Sequence, residues 1–406
     1  MRIDDDTAGL ILRQLDDDPA TPTTVDVARA VADGRRRHRA RRVGGYAAAA
    51  GATALLLVGV SAAAGRWLGP APSPAGSAQQ APSKNPAAPT NCVLGLLPVP
   101  DGRKMALVTG GDPTGRFLLG RTYPATSPPD GGMGLNVVIW DRLRPSLVAL
   151  PGDDQSLSDI NSHGVAVGSG WGPSGTTSYF YRAGHVSKLP GGDGADVRAI
   201  NDAGAAVGSR GEKPVLWRSV DQAPVVLPLP SGAATGAAFD IDEDGTVIGV
   251  VGTDTKAQRP YVWLPNGGGH DLPLPSGIPA PTDKSGAARR GVPTATAFNI
   301  RFGWVSGRVN GTAVRWNLRT GETRTFPKLG LRADDINRYG WQIGIDANGI
   351  ARLLADPGTV VLPELAPHQP TGLSNIPTTL SDDGKVIGGQ SDDKDDVIHA
   401  VVWTCS

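Results

Sequence analysis

One phrase recurs along this chain, and it constrains the fold more than any other feature of the sequence. The copies are SDINSHGVAVGS from Ser158, RAINDAGAAVGS from Arg198, FDIDEDGTVIGV from Phe239, FNIRFGWVSGRV from Phe298, DDINRYGWQIGI from Asp334 and TLSDDGKVIGGQ from Thr379. A less regular copy, GGDPTGRFLLGR from Gly110, makes seven. Each reads Ile or its equivalent, a polar turn, Gly, three alternating residues and a second Gly. The phrase encodes a hairpin: the turn glycine takes the left-handed conformation that closes a type I turn with a bulge, and the alternation returns the chain as a strand. Gly164, Gly204, Gly245, Gly303, Gly340 and Gly384 fill that place. The second glycine, as in Gly168 and Gly208, implies close backbone approach, expected where inner strands crowd a central channel.

Two further phrases follow each hairpin. The first is aromatic and ends at Trp140, Tyr181, Trp217, Trp263, Trp316 and Trp403; only the sixth copy is aliphatic, with Leu353 and Leu354. The second reads LVALP, SKLP, VVLPLP, DLPLP, RTFP or VVLP. Four short strands per unit, at a period of about 40–50 residues, predict an all-β, seven-bladed β-propeller of four-stranded blades. The recurrent Trp is read as core between blades. The seventh unit stops at VVWTCS, and its missing last phrase stands at the other end, where Leu97-Pro98-Val99-Pro100 matches Leu227-Pro228-Leu229-Pro230. The N-terminal strand is therefore expected to complete the last blade, which closes the ring and removes an edge. Cys92 and Cys405, the only two cysteines, fall where that blade lacks a turn. A disulfide in place of the missing connection is expected, with two buried free thiols the alternative.

The Ile-Asn-x-x-Gly-x-x-x-Gly phrase with its following Trp resembles the HAF-type extracellular repeats of bacteria, which are similar in architecture to kelch and WD-repeat propellers. The resemblance covers nearly all of Cys92 to Ser406. It implies fold and leaves chemistry open, since propellers host binding proteins, lyases and hydrolases alike.

Ahead of the repeats the chain has a different character. Val43 to Gly65 carries no charge, and 23 residues at a rise of about 1.5 Å each cover a bilayer's hydrocarbon core of roughly 30 Å. Arg35, Arg36, Arg37, Arg39, Arg41 and Arg42 precede it, against Arg66 alone just after. The positive-inside rule then puts the N-terminus in the cytoplasm and the repeats outside. Four parts are expected: a cytosolic basic leader with short helices (1–42), a transmembrane helix (43–65), a Pro/Ala/Ser linker (66–91) and the propeller (92–406). A cleaved signal peptide ending at Ala62-Ala63-Ala64 is the alternative to a retained anchor. The leader resembles those of actinobacterial single-pass proteins, some of them anti-sigma factors, but it lacks the His and Cys cluster that holds zinc in many of these. A disulfide outside the membrane agrees with this topology.

Chemistry is harder to find. The charges balance at 39 basic and 39 acidic residues, which argues against nucleic acid as a partner. Asp240, Asp242 and Asp244 match the opening of a DxDxDG calcium loop, but Val251 stands where the bidentate Glu belongs and the motif falls on the repeat's own turn. A structural turn is the first expectation and a calcium site the second; no other cofactor is expected. Asp392 and Asp393, in an acidic run of blade seven, and Arg289 and Arg290, in a long insertion, are candidate residues of a binding rim. The histidines have no metal-ligand spacing, and no nucleophile elbow or phosphate loop is present. The function expected is a membrane-anchored, extracellular binding or sensing module for a surface protein, peptide or glycan. The alternative is a surface hydrolase or lyase with its site in the channel.

Overall fold

The computed structural model describes residues 86–103, 105–124, 134–173, 175–254, 258–278, 295–327, 329, 332–356, 358–367 and 375–406. The leader, the apolar segment 43–65 and most of the linker lie outside these residues, as do Arg289 and Arg290. Among the described residues the helical structure is a single 3₁₀ turn, Pro100–Gly102, and no helix is long and apolar enough to cross a membrane.

Among the described residues, twenty-eight strands form seven antiparallel four-stranded sheets. In six of them the strands pair in chain order, so each blade is an up-and-down meander. Blade 1 runs Met105–Gly111, Phe117–Tyr123, Asn136–Asp141, Arg144–Val148; blade 2 Asp153–Ile160, Ala166–Gly172, Gly175–Arg182, His185–Asp193; blade 3 Ala195–Ile200, Ala206–Arg210, Lys213–Trp217, Val225–Val226; blade 4 Thr235–Ile241, Val247–Gly252, Gln258–Trp263, Gly269–Asp271; blade 5 Ala295–Arg301, Trp304–Val309, Thr312–Asn317, Thr323–Phe326; and blade 6 Arg332–Ile336, Gln342–Ile345, Ala351–Ala355, Gly358–Val361. Blade 7 takes three strands from the end of the domain, Asn375–Leu380, Val386–Asp392 and Ile398–Cys405, and its outer strand from the beginning, Cys92–Leu96. Cys92 lies directly opposite Cys405 and is disulfide-bonded to it across 313 residues of sequence. The ring is closed twice, by hydrogen bonds and by a covalent link.

The recurrent phrase explains itself in three contacts. Its glycine takes φ 76° at Gly164 and 79° at Gly204, as the turn requires. Its asparagine serves two blades at once: Asn161 Oδ1 accepts from the N–H groups of His163 and Val165 in its own turn, while Nδ2 donates to the Asn201 carbonyl of the next. Asn201 repeats this toward the Asp242 carbonyl. Asparagine suits the place because its side chain carries both a donor and an acceptor.

The second glycine is required for a different reason from the one expected. Every inner strand contains a β-bulge, as between Leu157 and Asp159 or Val197 and Ala199. A Cβ on Gly168 would stand 2.1 Å from the Ser156 carbonyl oxygen, and one on Gly208 2.1 Å from that of Asp196. The glycine makes room for the bulge of its own blade, not for crowding across the channel.

Five of the aromatic phrases end in a Trp that is at most 2 % exposed. Each indole N–H donates to the carbonyl of the Leu-Pro proline one blade back: Trp140 to Pro98, Trp217 to Pro190, Trp263 to Pro228, Trp316 to Pro273 and Trp403 to Pro363, all within 2.9 Å. The phrases are thus complementary halves of one seam, with the ring supplying buried apolar area and the N–H a direction. In blade 2 Tyr181 holds the Trp position, and in blade 6 Leu354 does.

Candidate functional site

The bulge sets the next residue of each inner strand to face the channel and the following blade. These residues are Gly110, Asp159, Ala199, Asp240, Asn299, Asp335 and Thr379. Blades 2, 4 and 6 therefore each present an aspartate, around a cavity of about 140 Å³. Each carboxylate accepts two backbone N–H groups, one from its own strand and one from the next blade: Asp159 from Ile160 and Ile200, Asp240 from Ile241 and Ile300, Asp335 from Ile336 and Leu380, all at 2.7–2.8 Å. Burial holds the protons of Asp159 and Asp335 on to about pH 7, against the opposing effect of those N–H groups. Asp240 is raised well above the usual carboxylate range, first by burial and then by the charge of Asp159.

Arg301 lines the same cavity. It stands where three other copies have Asn (Asn161, Asn201 and Asn337), and its guanidinium pairs with Glu243 of blade 4 and, at 2.8 Å, with Asp382 of blade 7. All three side chains are less than one-fifth exposed. Burial alone would make Arg301 a poorer base, but the carboxylates of Asp382 and Glu243 more than offset this. Burial also raises Glu243, with Arg301 opposing. The carboxylates have second duties: Glu243 accepts the Asp202 N–H and Asp382 that of Arg338.

No family profile and no curated protein matches the sequence. Among solved structures the chain is similar to the WD40 β-propeller domain of Doa1, with 12 % identity and a TM-score of 0.42, over 76 % of this chain and 96 % of that one. It is also similar to Chaetomium thermophilum Raptor (11 % identity, TM-score 0.43, 75 % of this chain and 28 % of that one) and to Porphyromonas gingivalis dipeptidyl peptidase 4 (9 %, 0.37, 63 % and 45 %). The chain spans less than half the length of the last two. These likenesses concern the fold alone.

The residues singled out by sequence are dispersed. Asp240 faces the channel as described. Asp242 is turned to the next blade, where it accepts the N–H groups of Phe302 and Gly303, and Asp244 accepts that of Thr246 within its own turn. The three carboxylates read as the start of a calcium loop thus point to three sets of backbone donors, and among the described residues no group of three His, Cys, Asp or Glu side chains is arranged to hold a metal. Asp393 caps its turn by accepting from Asp395 and Val397 and meets His399 Nε2 at 2.7 Å; that histidine, first, and the turn N–H groups bring its carboxyl down to about 2. Asp392 is raised by burial. Arg301, Glu243 and Asp382 were missed as a group: Arg301 departs from the repeat, but Glu243 and Asp382 occupy a turn position that varies from copy to copy and carries no mark of its own.

Proposed function

We propose that this chain is an HAF-type propeller held outside the plasma membrane by residues 43–65, and that it works as a binding or sensing module for a protein, peptide or glycan. The observation that carries the reading is the state of the channel. Its aspartates each accept two backbone N–H groups, and the acidic side chains of its mouth are shared between Arg301 and further N–H groups. A general acid or nucleophile must exchange its partners during a reaction; here a change of partner would also loosen a joint between blades. Those carboxylates are framework, which leaves recognition to the rims and seams of the ring. The disulfide supports an oxidising compartment, in agreement with the arginine asymmetry around residues 43–65.

The test pairs two measurements on the full chain. Peptide and glycan arrays should give specific binding, while a panel of ester, lactone, peptide and uronate polysaccharide substrates should give no turnover. Turnover that disappears in Asp240→Asn would establish the hydrolase or lyase alternative. Protease protection in sealed membranes reads the topology.

A further inference from the structure

One seam of the ring departs from the others on both of its halves. Between blades 5 and 6 the Leu-Pro phrase reads Phe326-Pro327, and the residue that should donate an indole to Pro327 is Leu354. Leu354 is only partly buried, whereas the five tryptophans at this place are at most 2 % exposed. A crevice of about 750 Å³ opens there at the perimeter, floored by Phe326, Pro327, Leu329 and Leu354 and edged by Arg324 and Arg352. This volume lies within the range of about 300–1,000 Å³ typical of ligand pockets, and the lining has the usual mixture of an apolar floor with a few fixed polar groups.

A second observation comes from the residue across the strand from Leu354. In the six other blades the Trp or Tyr position faces Leu118, Ala166, Ala206, Val247, Val305 or Ile387, all aliphatic. In blade 6 it faces Gln342, whose side chain is fully buried and whose amide oxygen and nitrogen have no hydrogen-bond partner among the described residues. Directly opposed residues share a face of the sheet, so this amide lies on the side of blade 6 that bears Leu354. A buried amide left unpaired costs roughly 1–3 kcal/mol, so Gln342 makes this seam less well packed than the others, although it does not itself line the crevice.

The five filled seams show what such a place accepts: a flat bicyclic ring wedged between blades, with its N–H on a proline carbonyl. We propose that the seam between blades 5 and 6 is a binding site for a tryptophan side chain presented by a partner peptide, which completes from outside the contact that the other seams make from within. The indole lies over Leu354 and Leu329, its N–H donates to the Pro327 carbonyl, and the guanidinium groups at the edge face its ring. Phe326 already shows that preference, with the Arg324 and Arg315 guanidinium carbons 5.1 and 5.3 Å from its centroid. The inference rests on the binding-module reading and gives it a place and a ligand chemistry.

The experiment uses the full chain in detergent-free lipid nanodiscs and the capped peptide Ala-Trp-Ala carrying 5-fluorotryptophan, observed by fluorine NMR against empty nanodiscs. Saturable binding is expected, weakened at least tenfold by Leu354→Trp, which fills the seam with the repeat's own side chain and should also raise Tm. Should Leu354→Trp fail to fold, Leu354→Phe and Phe326→Ala serve the same comparison. The phenylalanine peptide should bind several-fold more weakly than the tryptophan one for want of an N–H donor. No saturation at millimolar peptide, binding that the seam variants leave unchanged, or occupation of the seam by an oligosaccharide and not by the peptide would each overturn the proposal. Array binding that survives Leu354→Trp would remove this site while leaving the binding-module reading in place.

Discussion

The indole N–H of Trp403 donates to the carbonyl of Pro363, 2.8 Å away and one blade back. Replacing Trp403 by Phe keeps most of the ring and leaves that carbonyl without its donor, which should cost about 1–2 kcal/mol; Trp403→Ala, which also leaves a cavity, should cost about 3–5 kcal/mol. Urea unfolding of the two variants checks both values.

Arg301 separates two carboxylates that would otherwise face each other in a poorly hydrated place. Arg301→Met should destabilise the ring by about 3–5 kcal/mol near neutral pH, because Glu243 and Asp382 are left without their counter-ion. Protonation relieves the same defect, so the loss should be smaller at pH 5 than at pH 8. Melting temperatures of variant and parent at the two pH values decide it; an equal loss at both would show that packing, not charge, is responsible.

The channel aspartates give the pH dependence an unusual sign. Asp159 and Asp335 titrate near pH 7 in the folded chain, and Asp240 is also raised, against an ordinary value of 3.8 once unfolded. Between about pH 4 and 7 the folded state therefore holds more protons than the unfolded one. Their contribution is present in full at the acid end of this window and is lost as pH rises, at up to about 1.4 kcal/mol per pH unit for each group. Arg301, Glu243, Arg198, Asp202 and Asp382 line the same cavity and shape the curve. Chemical denaturation from pH 4 to 8 should show a falling slope that flattens in Asp159→Asn.

Asp242 and Asp244 separate a turn from a calcium loop. Asp242→Ala removes acceptors that join blade 4 to Phe302 and Gly303 and should cost about 2–4 kcal/mol, while Asp244→Ala loses one local bond and about 1 kcal/mol. Both costs should be the same with millimolar calcium or with chelator, as read by thermal melts. A calcium-dependent Tm in the parent that both variants abolish would restore the metal reading.

Reduction of the Cys92–Cys405 bond opens a loop spanning 313 residues, for which chain entropy gives an upper limit of roughly 5–6 kcal/mol. Guanidinium unfolding with and without reductant should differ by several kcal/mol, yet the reduced chain should still show native circular dichroism, because Cys92–Leu96 keeps its pairing with Ile398–Cys405.

Much of the architecture was legible because the repeat writes local requirements into the sequence. A glycine at positive φ, an asparagine that closes its own turn and a strand that ends in Trp each leave a mark at fixed spacing. What linked the blades was not legible. The Trp140 and Pro98 partners are 42 residues apart, and nothing in either phrase says that one donates to the other. The bulge in every inner strand was equally hidden, and it misdirected the account of Gly168. The cluster at the channel is carried by Arg301, which breaks the pattern, and by Glu243 and Asp382, at a turn position the pattern leaves open, and a reading built on consensus looks past both. The calcium expectation shows the converse: alternating carboxylates have the same spacing whether they converge on a cation or cap three separate sets of N–H groups.

The location of the Cys92–Cys405 link has a bearing on how the protein is made. One thiol is synthesised more than three hundred residues before the other, so the first has no partner in its own chain while the intervening sheets assemble. Joining them is possible only after the whole circle has been made. The bond thus records completion: a molecule interrupted partway keeps a reactive sulfur and an unpaired strand, both of which quality control can recognise.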